Sequence, residues 1–239
     1  ANRLGFANEP ITENQTVFHF IDQANPARYL DFNIINNNFD LSYDYSSDIG
    51  LFNEKSLPSS DQAIQEAKSF LQSFNLYLPA FMAGEEKITY LALSGNNLLS
   101  TTSYSSADAI RVDLGRANIE DLKLFPANPQ SELVYFIFSP STDQKKKFLK
   151  ISYKFWPVET EQRATYPLKT AAMAWEELKI NKGYIAQAPL SGNQIIVRKI
   201  SLGYFYPNDY QQFLQPIYVF EGDPNFLGFV PALDPAWVK

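Results

Sequence analysis

A repeated order of elements constrains this chain more than any other feature of its sequence. A strand pair followed by a helix that a proline introduces occurs twice, and further strands follow each helix. The first set covers 28–35, 39–45 and 59–74, and the second covers 132–138, 146–156 and 168–180. The repeat predicts an α+β fold of two tandem subdomains, each an antiparallel sheet packed by one amphipathic helix.

The alternation of apolar and polar residues supports the strands of both sets. It is regular within 39–45 and again within 147–156. A period of two is typical of an antiparallel strand that has one face on a core and the other in water. Asn36-Asn37-Asn38 precedes the first of these strands, and asparagine tolerates the left-handed backbone of a tight hairpin. We therefore expect a hairpin at that point.

A proline-containing stretch near the middle of the chain marks the expected division. Residues 125–130, Phe-Pro-Ala-Asn-Pro-Gln, contain two prolines within six positions. Prolines among polar and small residues are typical of a linker between domains. We therefore expect the two subdomains at 1–126 and 127–239.

Both helices have recognisable end signals. Ser59 and Gln62 follow Pro58 at the spacing of a capping box. One face of the first helix then collects Ala63, Ala67, Phe70, Leu71 and Phe74, and one face of the second collects Ala171, Ala174, Trp175 and Leu178. Gly183 is expected to take the left-handed position that ends the second helix.

Charge and composition exclude several classes of function. The net charge of −6 makes nucleic acid an unsuitable partner, because phosphate binding needs a clustered basic surface. The only basic run, Lys145-Lys146-Lys147, is expected to be a solvated hairpin turn. The chain has no cysteine, which excludes disulfides and thiolate sites and is compatible with an extracytoplasmic bacterial protein.

The expected location is the cell surface, with an anchor outside this sequence. The longest strongly apolar run, 133–138, is far too short for a membrane helix, which needs about 20 residues. The sequence begins at Ala1, so we expect a processed or trimmed product. The removed segment is expected to be a signal peptide or, preferably, an N-terminal transmembrane anchor.

The sequence contains no complete catalytic or cofactor-binding motif. Any triad would have to use His19, the single histidine, and no nucleophile elbow accompanies it. A zinc site with one histidine and no cysteine would need three carboxylates. The neighbouring carboxylates Glu176 and Glu177 point to different sides of a helix and make a poor catalytic pair. We expect a protein that is not an enzyme and has no catalytic residue, cofactor site or metal site.

The aromatic segment 200–220 is the strongest candidate for a binding site. Ile200, Leu202, Tyr204 and Tyr206 share one strand face, and a break at 207–209 follows. One interpretation is a strand, loop and strand that close a sheet over its own core. The other is a tyrosine-rich loop that binds a partner through rigid aromatic side chains. The candidate partner-binding residues are Tyr204, Tyr206, Tyr210 and Phe213.

The same segment, together with the helix before it, carries a resemblance to a known group. The order is a helix with Ala171 to Leu178, then Lys182-Gly183-Tyr184, then Leu202 to Pro207, and finally Leu214 to Phe220. Over about residues 165–233 this order resembles the YycH/YycI regulatory proteins and the wider PepSY-like group. The resemblance implies a membrane-tethered domain that binds another membrane or extracytoplasmic protein, such as a sensor kinase or a peptidase. Those families often have an Asn-Ala or Asp-Gly turn in the last hairpin, whereas this chain has Val230-Pro231 to Asp234-Pro235.

The leading hypothesis is therefore a non-enzymatic, extracytoplasmic and membrane-tethered domain for protein interaction or regulation. A second hypothesis is a cell-wall or carbohydrate-binding protein that presents Trp156, Trp175 or Trp237 in a groove. The helical position of Trp175 places it on the core face, which leaves the other two. A third is a structural module of a surface assembly, in which copies would contact each other through edge strands.

Overall fold

The computed structural model describes residues 1–12, 14–54, 56–189 and 194–237. This part of the chain forms 14 strands in two sheets and three α-helices, which confirms the α+β class. The chain divides into two compact units, 1–116 with 133–155 and 117–132 with 156–239. Each unit is thus discontinuous in sequence, whereas the sequence predicts a single division after residue 126.

The first unit is built on an antiparallel sheet of nine strands. The strands are β1 (Ile11–Thr12), β2 (Val17–Ile21), β3 (Arg28–Asn33), β4 (Phe39–Tyr43), β5 (Glu86–Ser94), β6 (Asn97–Thr101), β7 (Ala109–Leu114), β9 (Val134–Phe138) and β10 (Phe148–Tyr153). Their order in the sheet is β1-β2-β3-β4-β10-β9-β7-β5-β6. The expected asparagine hairpin joins β3 to β4, and Asn37 has the left-handed backbone, with φ of 60°.

Helix α1 (Ser60–Ser73) packs against the first sheet as its sequence predicts. The capping box is confirmed, because Ser59 accepts a hydrogen bond from the amide of Gln62 and the Gln62 side chain accepts one from Ser59. The buried residues of α1 share a core with apolar side chains of β7 and β9: Ala63, Ala67, Leu71, Ile110, Val112, Phe136 and Phe138. A second, short helix α2 (Pro79–Met82) follows and adds Phe81 to this core.

The opposite face of the first sheet has a smaller apolar cluster. A 3-10 helix at Ile49–Asn53 contributes Leu51 and Phe52, which pack with Leu91 of β5 and Leu149 of β10. The first sheet therefore carries an apolar cluster on each face.

The hairpin β9–β10 departs from the tandem arrangement that the sequence predicts. Its two strands were expected to open the second subdomain, but β10 pairs with β4 and β9 pairs with β7. The hairpin therefore occupies the middle of the first sheet. Period-two alternation specifies which face of a strand is buried but not which strand lies beside it, so the pattern was compatible with either sheet.

The basic run lies in the turn of this hairpin, as the sequence predicts, and its partly exposed lysines form ion pairs that the sequence does not predict. Lys145 pairs with the buried Asp22 at 3.0 Å, Lys146 pairs with Asp48 at 2.8 Å, and Lys147 pairs with Glu66. Hydrogen bonds from the Lys146 ammonium and the Tyr43 hydroxyl hold the pKa of Asp48 below its ordinary value. The basic run thus attaches the hairpin to its own unit.

The second unit is built on a five-stranded sheet. Its strands are β8 (Leu124–Pro126), β11 (Tyr184–Gln187), β12 (Ile196–Tyr206), β13 (Gln215–Asp223) and β14 (Phe226–Pro231), in the order β11-β14-β13-β12-β8. Strand β8 is parallel to β12, so this sheet is mixed rather than purely antiparallel as predicted. The other pairs are antiparallel.

Helix α3 (Ala171–Lys179) packs against one face of the second sheet. Ala174 and Leu178 share a core with Phe220, Phe226 and Val230. The left-handed residue that ends α3 is Asn181, with φ of 59°, and not Gly183 as predicted. Gly183 is needed for a different reason. A Cβ there would lie 2.8 Å from Leu178 Cδ1 and 2.9 Å from the carbonyl oxygen of Phe229.

Candidate binding surface

The candidate residues lie where β12 ends and the chain crosses to β13. Tyr204 and Tyr206 are among the last three residues of β12, and residues 207–214 form the connection. Tyr204 is opposite Pro216 of β13 and Leu124 of β8. It is half-buried on the face of the sheet that carries α3.

Tyr206 is a core residue and not a surface contact. Its exposed fraction is 5 %. Its hydroxyl oxygen accepts a hydrogen bond from the backbone amide of Trp156 at 3.1 Å. A buried tyrosine normally satisfies its hydroxyl in this way. The predicted role of Tyr206 as an exposed aromatic anchor therefore does not fit its position, although Tyr206 shares its strand face with the half-buried Tyr204.

Tyr210 and Phe213 are exposed, as a binding role requires. Their exposed fractions are 65 % and 76 %, the latter the largest among the described large apolar side chains. The Tyr210 ring contacts Trp156 edge to face, with 5.5 Å between the ring centroids. Phe213 lies on the same 207–214 connection as Tyr210, and we call Trp156, Tyr210 and Phe213 the aromatic surface.

The buried and exposed members of this group are connected. Tyr206 holds the backbone of Trp156, and the Trp156 ring in turn contacts Tyr210. The loop 207–214 therefore presents Tyr210 from a site that the strand β12 supports. Sequence reasoning did not place Trp156 beside Tyr210, since the two are 54 positions apart and no local pattern links them.

The charged residues closest in sequence to Trp156, Tyr210 and Phe213 include three carboxylates. The segments 155–162 and 200–220 contain Glu159, Glu161 and Asp209 but no lysine or arginine. These three carboxylates are exposed and form no ion pair with any residue in the described part of the chain. The segments that carry the exposed rings therefore also carry carboxylates that are unpaired among the described residues.

The other two tryptophans occupy different settings. Trp175 of α3 packs on Phe220, with 5.8 Å between the ring centroids, and the Lys179 ammonium lies 5.7 Å from its ring centroid. Trp237 is 60 % exposed on a 3-10 turn near the end of the chain. The core position predicted for Trp175 is thus confirmed, and Trp156 and Trp237 stay available for the carbohydrate hypothesis.

His19 has a carboxylate partner in the first sheet. Its Nδ1 lies 2.6 Å from Asp31 Oδ1, directly across the β2–β3 pair. The centroids of the His19 and Tyr29 rings are 5.4 Å apart. A carboxylate in this position orients an imidazole ring. Among the residues that the structure describes, no group of three or more His, Asp or Glu side chains is placed to hold a metal ion.

Comparison with known proteins gives no family for this chain. No family model matches it, and no curated protein matches it. The resemblance to the YycH/YycI and PepSY-like proteins over about 165–233 therefore stays a prediction. Within the described residues, no helix is both long enough and apolar enough to cross a membrane.

Proposed function

We propose that the chain is a non-enzymatic domain for protein interaction or regulation, and that its aromatic surface contacts the partner. The observation that carries this proposal is the pair of exposed rings on one supported loop, Tyr210 at 65 % and Phe213 at 76 % exposure. Tyrosine and tryptophan are enriched at protein interfaces because they supply large apolar area with few rotatable bonds. The half-buried Tyr204 contributes to the base of this site.

The proposed setting is extracytoplasmic, in a bacterium, with tethering by an N-terminal transmembrane segment. The absence of cysteine and the resemblance over about 165–233 support it. The proposed partner is a membrane or extracytoplasmic protein of the sensor kinase or peptidase class. We also propose that each of the two sheets is packed by one main amphipathic helix, α1 on the first sheet and α3 on the second.

Capture of the partner by cross-linking tests the proposal. The soluble chain is cross-linked to the membrane fraction of its source cells, and a Tyr210→Ala, Phe213→Ala double variant is treated in parallel. We expect a specific membrane protein with the wild type and at least a ~10-fold loss with the variant, because truncating central aromatic anchors typically costs about 2 kcal/mol or more.

A matched control separates this loop from exposed apolar residues in general. Tyr166→Ala with Ile180→Ala removes a tyrosine and an aliphatic side chain that are 50 % and 61 % exposed in the same unit. Capture should survive in this control. Equal loss in both double variants, or equal capture by the wild type and the Tyr210/Phe213 variant, contradicts the proposal. Capture of cell-wall glycans alone supports the carbohydrate hypothesis, for which the exposed Trp237 is the supporting observation.

A further inference from the structure

Most edges of the two sheets carry features that prevent further strand pairing. Strand β1 has two residues, and β8 has three and ends in Pro126. Strand β11 has an irregular register between Ile185 and Gln187. Short strands, prolines and bulges are the means by which proteins protect sheet edges.

Strand β6, the other edge of the first sheet, has none of these features. It has five residues and a regular register with β5. The segment 94–107, which contains it, has no charged residue and no proline. A regular, uncharged edge strand is a template for pairing with another strand.

The register shows which backbone groups of β6 point outward from the sheet. Gly95, with φ of 61°, and Asn96 form the two-residue turn from β5 to β6, so Ser94 and Asn97 are a hydrogen-bonded pair. Hydrogen-bonded and non-hydrogen-bonded pairs alternate along an antiparallel ladder. The N–H and C=O groups of Leu98 and Ser100 therefore point away from β5.

Hydrogen bonds on the other side of β5 agree with this alternation of hydrogen-bonded and non-hydrogen-bonded pairs. The amide of Asp108 donates to the carbonyl oxygen of Leu91 at 2.8 Å, and the amide of Leu93 donates to the Asp108 carboxylate at 2.8 Å. Leu91 and Leu93, the residues opposite Ser100 and Leu98, thus direct their backbone groups away from β6. Within the described part of the chain, no turn, loop or side-chain hydrogen bond reaches the backbone of Ser100.

We propose that β6 pairs with β6 of a second copy of this chain, antiparallel and with the two-fold axis at Leu99. In this register Leu98 is opposite Ser100 of the second copy, and the two such pairs form four backbone hydrogen bonds. Leu99, which is 56 % exposed, faces Leu99 of the second copy, and Asn97 faces Thr101. The contact is self-complementary, as an isologous interface requires.

The charge of the chain favours this edge over other surfaces for self-association. Each copy has a net charge of −6, so two copies repel each other over most of their surfaces. The β6 edge brings no charged side chain opposite another. A strand pair of this length buries little area, and we therefore expect a weak dimer that forms at high protein concentration.

The Tyr45 hydroxyl limits the pairing at one end of β6. It donates to the carbonyl oxygen of Asn96 at 3.3 Å, and it lies beside the Leu98 amide. A second strand must displace it to bond the Leu98 amide. The Tyr45 ring also packs edge to face on Phe52, at 5.3 Å, so Tyr45→Phe removes the hydroxyl and keeps that packing. This variant should dimerise more strongly than the wild type.

Sedimentation velocity over a concentration series tests the proposal through charge exchange at Leu99. Leu99→Lys or Leu99→Glu alone should weaken dimerisation at least ~10-fold, because the two-fold axis places like charges directly opposite each other. An equimolar mixture of the two variants should restore the dimer, since Lys then faces Glu. Ile35→Lys, at a 73 % exposed position in a turn, should dimerise as the wild type does.

Three results would overturn the proposal. The wild type can remain monomeric up to its solubility limit, the Ile35→Lys control can lose the dimer as fully as Leu99→Lys, or the Lys and Glu mixture can fail to recover. Each outcome is independent of the aromatic surface, because the Tyr210→Ala, Phe213→Ala variant leaves β6 unchanged.

Discussion

At the scale of single residues, Tyr206 and Tyr210 have different roles although they are only four residues apart in the sequence. Tyr206 is the last residue of β12, is 5 % exposed and accepts a hydrogen bond from the Trp156 amide, whereas Tyr210 lies in the following loop and is 65 % exposed. The period of two holds only while the strand continues, and Pro207 ends it. The first tyrosine therefore supports the surface and the second forms part of it.

A pair of hydroxyl deletions tests this difference. Tyr206→Phe removes the acceptor of the 3.1 Å bond and should lower the free energy of unfolding by about 0.5–1.5 kcal/mol, the usual net value of a hydrogen bond. Tyr210→Phe removes a hydroxyl that bonds no described residue, so a change within about 0.5 kcal/mol is expected. Urea denaturation measures both. Equal effects would contradict the assignment of Tyr206 to the core.

At the scale of elements, local signals were predictable and long-range pairing was not. The capping box of α1 and the left-handed Asn37 follow from a few adjacent residues, and both are present. The insertion of β9–β10 between β4 and β7 depends on the pairing of β10 with β4, which lies about 110 positions earlier, and no local pattern contains that information. The position of Trp156 beside Tyr210 could not be predicted either, because the two residues are far apart in the sequence. The left-handed position after α3 falls on Asn181 because the helix ends at Lys179, two residues earlier than the glycine signal suggests.

The ion pairs at the β9–β10 turn predict a loss of stability in acid. The pKa of Asp48 lies below its ordinary value of 3.8 in the folded chain, because Lys146 and Tyr43 bond its carboxylate. Its contribution is therefore complete above that ordinary value and disappears as the pH falls through the folded-state pKa. Asp48→Asn should be less stable than the wild type near neutral pH and should lose less stability on acidification.

Chemical denaturation at about pH 7 and at about pH 3 measures how much free energy of unfolding the wild type and Asp48→Asn each lose between the two pH values. Glu9→Gln is the control, because Glu9 is exposed and forms no ion pair with a described residue. Its dependence on pH should match that of the wild type. If Asp48→Asn also keeps the full wild-type dependence, the turn is not held by this carboxylate.

At the scale of the whole molecule, the two compact units are interleaved along the sequence. Residues 117–132 belong to the second unit, although residues of the first unit lie on both sides of them. Neither unit is a continuous stretch that can be cut out. Fragments chosen at the predicted boundary therefore divide both sheets.

The fragment 127–239 gives a direct test of this organisation. It lacks β8, and it contains β9–β10 without their partners β4 and β7. Phe136 and Phe138, which are fully buried in the intact chain, should then be exposed to solvent. We expect strong binding of a hydrophobic dye and no cooperative thermal transition, in contrast to the full chain. A sharp transition with little dye binding would contradict the assignment of the hairpin to the first unit.

The central position of β9–β10 in the first sheet has a consequence for folding during synthesis. Synthesis proceeds from the N-terminus, so β1–β4 and β5–β7 emerge from the ribosome as two separate half-sheets, each with an open edge. The hairpin that joins them arrives last, after residues that belong to the other unit. Until residue 153 has emerged, the nascent chain has two unpaired inner edges, and we expect it to depend on chaperones during that interval.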